Sequence, residues 1–189
     1  MPRSQATARA WRALFACGMT GLLTISGCSS SSQPDWVASL GSGVTVDGPG
    51  QVSPGNGSPS AAVAGLVAAF NDKKFAEACN YVEPNEQAEC KQGMAAEPAS
   101  AAETVKNGAV GYAAIKGDQA LVGTTGTYCS PDESPKCFTN NDPAAIFSSK
   151  KSFATLWSEA NNEASNTNSP NVYSLAPCVK VDGKWYLNS

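Results

Sequence analysis

The sequence predicts an α+β fold in a single domain, and three observations carry that prediction. Val63, Leu66, Val67 and Phe70 recur at helical spacing early in the chain. From Ala109 onward the period shortens to that of strands, with residues 109–115 and 119–128 flanking a Lys116-Gly117-Asp118 turn. Near the end, Asp182-Gly183 stands between the apolar runs 172–181 and 184–187. That pair signals a hairpin, because a type I′ turn needs positive φ at both central residues. Helices first and hairpins after describe N-terminal helices packed on an antiparallel sheet.

Taken in order, the first helix is expected to start at Ser60 as N-cap, with Pro59 before it. Asn71-Asp72-Lys73-Lys74 interrupts its apolar face, and a second helix follows through Phe75, Ala78, Cys79 and Val82. Pro84 disfavours helix at Glu83 and stops it. A third helix is expected over residues 86–94 and a further one over 99–106. Residues 130–143, with three prolines and Asn-Asn-Asp, read as loop. Residues 152–164 read as a helix with Phe153, Leu156, Trp157 and Ala160 on one face, and residues 165–171 as loop.

The start of the chain is a different kind of segment. Arg3, Arg9 and Arg12 occupy residues 1–12 with no acid, and an apolar run fills 13–23. That run is too short to span a bilayer, which takes about 20 residues, but it suits the apolar region of an export signal. The arginines never stand as a pair, which favours the general export route over the twin-arginine one. Leu23-Thr24-Ile25-Ser26-Gly27-Cys28 then resembles the lipobox of bacterial lipoproteins. The resemblance implies a signal peptide over residues 1–27, cleavage before Cys28, and a diacylglycerol thioether on its thiol, with palmitate among the acyl chains of that cysteine. The mature protein would be held on the extracytoplasmic face of the cell membrane by those acyl chains.

Ser, Gly and Pro fill 18 of the 31 positions from 29 to 59, so residues 28–59 read as a flexible tether, with Trp36 a lone aromatic in it. Residues 60–189 are then the domain.

Charge limits the function classes. Without residues 1–27, ten lysines face sixteen acids and no arginine, a net charge of −6. Such a chain makes a poor nucleic-acid binder, because phosphate neutralisation needs cations and guanidinium forks. The chain has no histidine, which removes a Cys–His nucleophile, and it has no Cys-x-x-Cys, so no metal site or cofactor is expected.

Five cysteines follow Cys28. In an oxidising compartment disulfides are expected. The local pairings are Cys79 with Cys90 and Cys129 with Cys137, leaving Cys178 as a buried free thiol; other pairings of four among the five remain open. Weaker motifs read as chance or as solvated surface: Ser148-x-x-Lys151 without its companion motifs, the Glu86/Glu89 and Asp132/Glu133 pairs, and Gly123-Thr124-Thr125-Gly126.

Two stretches resemble the NTF2-like, or cystatin-like, superfamily. Ala69-Phe70, the Asn71-Asp72 corner and the short segment closing on Pro84 are similar to that family's opening helix pair. Val179–Leu187, with Gly183-Lys184-Trp185, is similar to its closing hairpin. The resemblance implies a curved antiparallel sheet wrapped by helices into a cone, with an apolar pocket at the mouth. Phe70, Phe75, Tyr112, Phe153, Trp157 and Trp185 are the candidate pocket residues, each also able to serve as plain core. Residues 130–143 and 152–164 depart from the family pattern as insertions, and the cone's usual Arg or His is missing. The expected role is a non-catalytic binding or accessory module for another envelope protein or a small apolar ligand. The rival roles are an enzyme using the cone pocket and a structural envelope component.

Overall fold

The computed structural model describes residues 34–96, 104–129, 137–164 and 175–188. Over these residues the fold is α+β, with a six-stranded sheet whose neighbours all pair antiparallel. The strands are β1 (Thr45–Asp47), β2 (Thr104–Lys116), β3 (Gln119–Cys129), β4 (Cys137–Asn140), β5 (Leu175–Val181) and β6 (Lys184–Leu187). The sheet order is β1-β2-β3-β5-β6. β3 is long enough to hold two neighbours along one edge: β5 opposite residues 119–123 and β4 opposite 126–129.

The helices are α1 (Pro59–Asn71), α2 (Phe75–Ala78), α3 (Gln87–Ala96) and α4 (Phe153–Ala164). Successive strand residues point to opposite faces, and here both faces are covered. Ala120 and Val122 of β3 pack with Val63 and Val67 of α1. Leu121 between them packs with Phe153 and Leu156 of α4. This explains why Ala120, Leu121 and Val122 are all fully buried rather than alternating with polar residues.

Several expectations need correction. The N-cap of α1 is Ser58, not Ser60. The Ser58 hydroxyl accepts from the Ala61 amide at 3.1 Å, Pro59 occupies the first turn where no amide is needed, and Ser60 is buried inside the helix. The second helix is only α2 and a 3-10 turn at Cys79–Tyr81. The helix expected over 99–106 is not one from Thr104 on; there β2 pairs Thr104, Val105 and Lys106 with Cys129, Tyr128 and Thr127. Cross-strand pairing overrides the local helical pattern. Residues 99–103 lie outside the described residues. The loop expected over 130–143 contains β4, whose residues face Gly126–Cys129, while residues 130–136 lie outside the described residues. The loop at 165–171 lies outside them as well, and so does the start of the run 172–181.

The largest correction concerns residues 34–59, which are not a tether. A 3-10 turn at Asp35–Leu40 buries Trp36 and Leu40. The Trp36 ring stacks on Phe147 at 4.9 Å and meets Tyr112 edge-on at 5.2 Å. β1 then adds to β2 at one edge of the sheet. At the other edge Asn56 brackets Trp185: its carbonyl accepts the Trp185 amide at 2.9 Å, and its side-chain amide donates to the Trp185 carbonyl at 2.8 Å. Composition averaged over 31 residues hides this. Burying one indole removes about 200 Å² from water, worth about 5 kcal/mol at about 25 cal/mol/Å².

The closing hairpin behaves as read. The Asp182-Gly183 turn has φ of 50° and 78°, as type I′ requires, and joins β5 to β6. β2 carries two register shifts, between Lys106 and Ala109 and between Val110 and Ala113. Each adds one residue opposite β3, and such bulges bend a sheet and deepen its twist.

Candidate functional site

An apolar pocket of about 290 Å³ opens on the α1 face of the sheet. α1 supplies Val63, Leu66, Val67 and Phe70, the residues whose helical spacing is visible in the sequence. The sheet supplies Val105 and Tyr128, which are cross-strand partners, together with Thr124, Ala176 and Leu187. The third wall is the arm that follows α1, through Ala78, Val82, Cys90 and Met94.

The arm is placed by close packing and by a cross-link. Gly65 of α1 lies beneath the Tyr81 ring, where a Cβ would stand 2.1 Å from a ring carbon. Glycine is what lets the 3-10 turn lie against the helix. Val82 forms a parallel bridge to Leu187 of β6. Cys79 and Cys90 form a disulfide with Cα atoms 5.7 Å apart, and Gln87 Nε2 donates to the Val82 carbonyl at 3.1 Å. α3 is thereby held over the pocket, with Cys90 and Met94 facing it.

The described lining carries no carboxylate and no ammonium group. Its polar groups are neutral and engaged with the protein. The Tyr128 hydroxyl donates to the Thr125 carbonyl at 3.0 Å. Burial raises the Tyr128 pKa, with the Thr124 hydroxyl opposing in part, so the phenol stays protonated at neutral pH. Asn188, at the rim, donates its amide to Asn161 Oδ1. No buried side-chain oxygen or nitrogen lacks a partner among the described residues.

Of the six candidate pocket residues, only Phe70 lines this pocket. Phe75 packs edge-on against Phe70 with centroids 5.7 Å apart. Tyr112 packs against Trp36 on the other face of the sheet, Phe153 and Trp157 stack on each other there, and Trp185 is core beside Val63. Their type is right for a pocket, but strand alternation and the second helical layer put Tyr112, Phe153 and Trp157 on the other face, while Trp185 stays on the α1 face as core. Sequence reasoning missed the wall formed by Thr124, Tyr128 and Val105. Its signal, the i, i+4 spacing of Thr124 and Tyr128 on one face of a strand, becomes informative only once the register with Val105 is fixed.

The cysteines pair as the local reading has it, Cys79–Cys90 and Cys129–Cys137. Cys178 is a fully buried free thiol whose pKa burial raises far above the usual thiol range. It lies in the core behind the pocket wall. The Ser148 and Lys151 pair is not brought together: Ser148 bonds the Ala145 carbonyl, and Lys151 bonds both Glu159 oxygens at 2.7 Å. Gly123–Gly126 is part of β3. Glu86 and Glu89 lie at and just before the start of α3, away from the pocket lining. No group of three or more Cys, Asp or Glu side chains is placed to hold a metal among the described residues. Cys28, Asp132 and Glu133 lie outside the described residues.

Comparison of the chain with protein-family models, curated proteins and solved structures finds no match in any of the three.

Proposed function

We propose that this chain is an exported lipoprotein, anchored to the extracytoplasmic face of the cell membrane through acyl chains on Cys28, whose folded part binds a small apolar ligand without catalysing a reaction. One observation carries the binding half: a pocket of about 290 Å³ with described walls of aliphatic and aromatic side chains and three neutral polar residues. Ligand sites are concave, mostly apolar and provided with a few polar groups. General acid–base chemistry needs a titrating group aimed at the substrate near working pH, and the titrating group in the described lining is the Tyr128 phenol, which burial moves further from neutrality.

The anchoring half rests on the order of basic flank, apolar run and Leu23-to-Cys28 lipobox. An NTF2-like arrangement is supported by the α1–α2 corner, the bulged antiparallel sheet and the closing β5–β6 hairpin, which stand in the order that superfamily has.

Two measurements test the reading. Metabolic labelling with an alkynyl fatty acid is expected to mark the wild-type chain in the membrane fraction, with Cys28→Ala abolishing the label. An unlabelled wild-type chain in the aqueous fraction defeats the anchor. Native purification followed by mass spectrometry is expected to find a small apolar molecule that leaves on denaturation.

A further inference from the structure

The pocket's walls also specify the class of ligand. We infer that it takes an uncharged hydrocarbon unit of about a dozen heavy atoms, bearing at most a neutral polar group such as a hydroxyl or ester, and that it rejects a carboxylate of the same chain length. The inference rests on the binding reading above and narrows it.

Size comes first. A cavity of about 150 Å³ holds benzene, and this pocket has about twice that volume. Charge comes next. A buried carboxylate must be paired or hydrogen-bonded to be tolerated, and the described lining has no lysine. The hydroxyl and amide groups present already serve the protein: Tyr128 donates to Thr125, and Asn188 to Asn161. The long-range field acts in the same direction, since residues 28–189 carry a net charge of −6 and repel an approaching anion. A neutral alcohol or ester pays neither cost and fills the same apolar volume.

The test uses the full chain with its disulfides oxidised and a neutral environment-sensitive dye of the stated size, 4-(dimethylamino)benzonitrile. Dye fluorescence is expected to rise on binding and to fall on adding decanol. Decanoate at pH 7 should need at least ten times the concentration for the same displacement, and at pH 4, once protonated, should approach decanol. Leu66→Trp, which fills the pocket from α1, should abolish the dye signal. Val82→Phe gives the same test from the opposite wall if that variant does not fold. If decanoate at pH 7 displaces the dye as well as decanol does, the ligand class is overturned while the pocket stands. If the dye fails to bind, or binds both filled variants as it binds the parent chain, the ligand class and the binding reading fall together. A detergent-free extract whose co-purifying molecule is a fatty acid or an anionic phospholipid also overturns the class, whereas an alcohol, ester or hydrocarbon supports it.

Discussion

Gly65 sits in the middle of α1, where alanine is the better helix former by about 1 kcal/mol. Tyr81 decides the matter the other way, because a Cβ at 65 would enter its ring. Overpacking of this kind costs about 1–3 kcal/mol, more than the propensity returns. Gly65→Ala is therefore expected to lower stability in urea unfolding by up to about 2 kcal/mol, as the difference of those terms. An unchanged midpoint would mean that Tyr81 swings aside at no cost. Glu83 sets a pH dependence. Desolvation first, and Glu86 second, raise its carboxyl pKa in the fold. A raised carboxyl binds its proton more tightly when folded, so it favours folding at low pH and opposes it once pH passes the folded value. Glu83→Gln is expected to raise the melting temperature at pH 7 and to bring no such gain at pH 3. Equal gains at both would assign the effect to packing. Neither property is legible in the sequence, where Gly65 and Glu83 are an unremarkable helix residue and an acid before a proline.

At the scale of elements, α3 is the least self-sufficient piece. Its exposed residues include Glu89, Lys91 and Gln92, and only Cys90 and Met94 reach the pocket. The Cys79–Cys90 bond and the Gln87 hydrogen bond hold it in place. The double variant Cys79→Ala/Cys90→Ala is expected to lose about 2–3 kcal/mol, as for a short cross-linked loop, and also to weaken dye binding. Cys129→Ala/Cys137→Ala should lose a similar amount and leave dye binding intact, because that bond lies outside the pocket. If the two variants bind dye alike, α3 is no wall of the site. The cysteine pairing was legible because short loops between cysteines close at least entropic cost. The bearing of one bond on the pocket was not, because it depends on which face of α3 meets α1.

For the whole molecule, residues 34–58 act as a strap. They plug one face with Trp36 and Leu40, add β1 to one edge and bracket Trp185 at the other. Trp36→Ala is expected to cost about 3–5 kcal/mol, a large share of the roughly 5–15 kcal/mol that holds a domain folded. Urea unfolding of the variant beside the parent chain measures it. A chain lacking residues 34–58 should lose more, since both sheet edges open as well. Should the shortened chain unfold at the parent's midpoint, the strap is dispensable and the domain does begin near residue 59.

The sequence by itself determined what depends on neighbours along the chain. The periodicity of α1 and α4, the positive-φ turn at Asp182-Gly183, the corner after Asn71 and the two short cysteine loops are all set within a few residues. Tertiary structure alone decided which apolar residues become pocket and which become core. Tyr112 and Thr124 both belong to strands read from sequence, yet one packs under Trp36 and the other lines the cavity. Face and register assign them, and both depend on residues far away in the chain. The same physics turned a Ser-, Gly- and Pro-rich stretch into a strap, because one indole finding its slot outweighs the average composition around it.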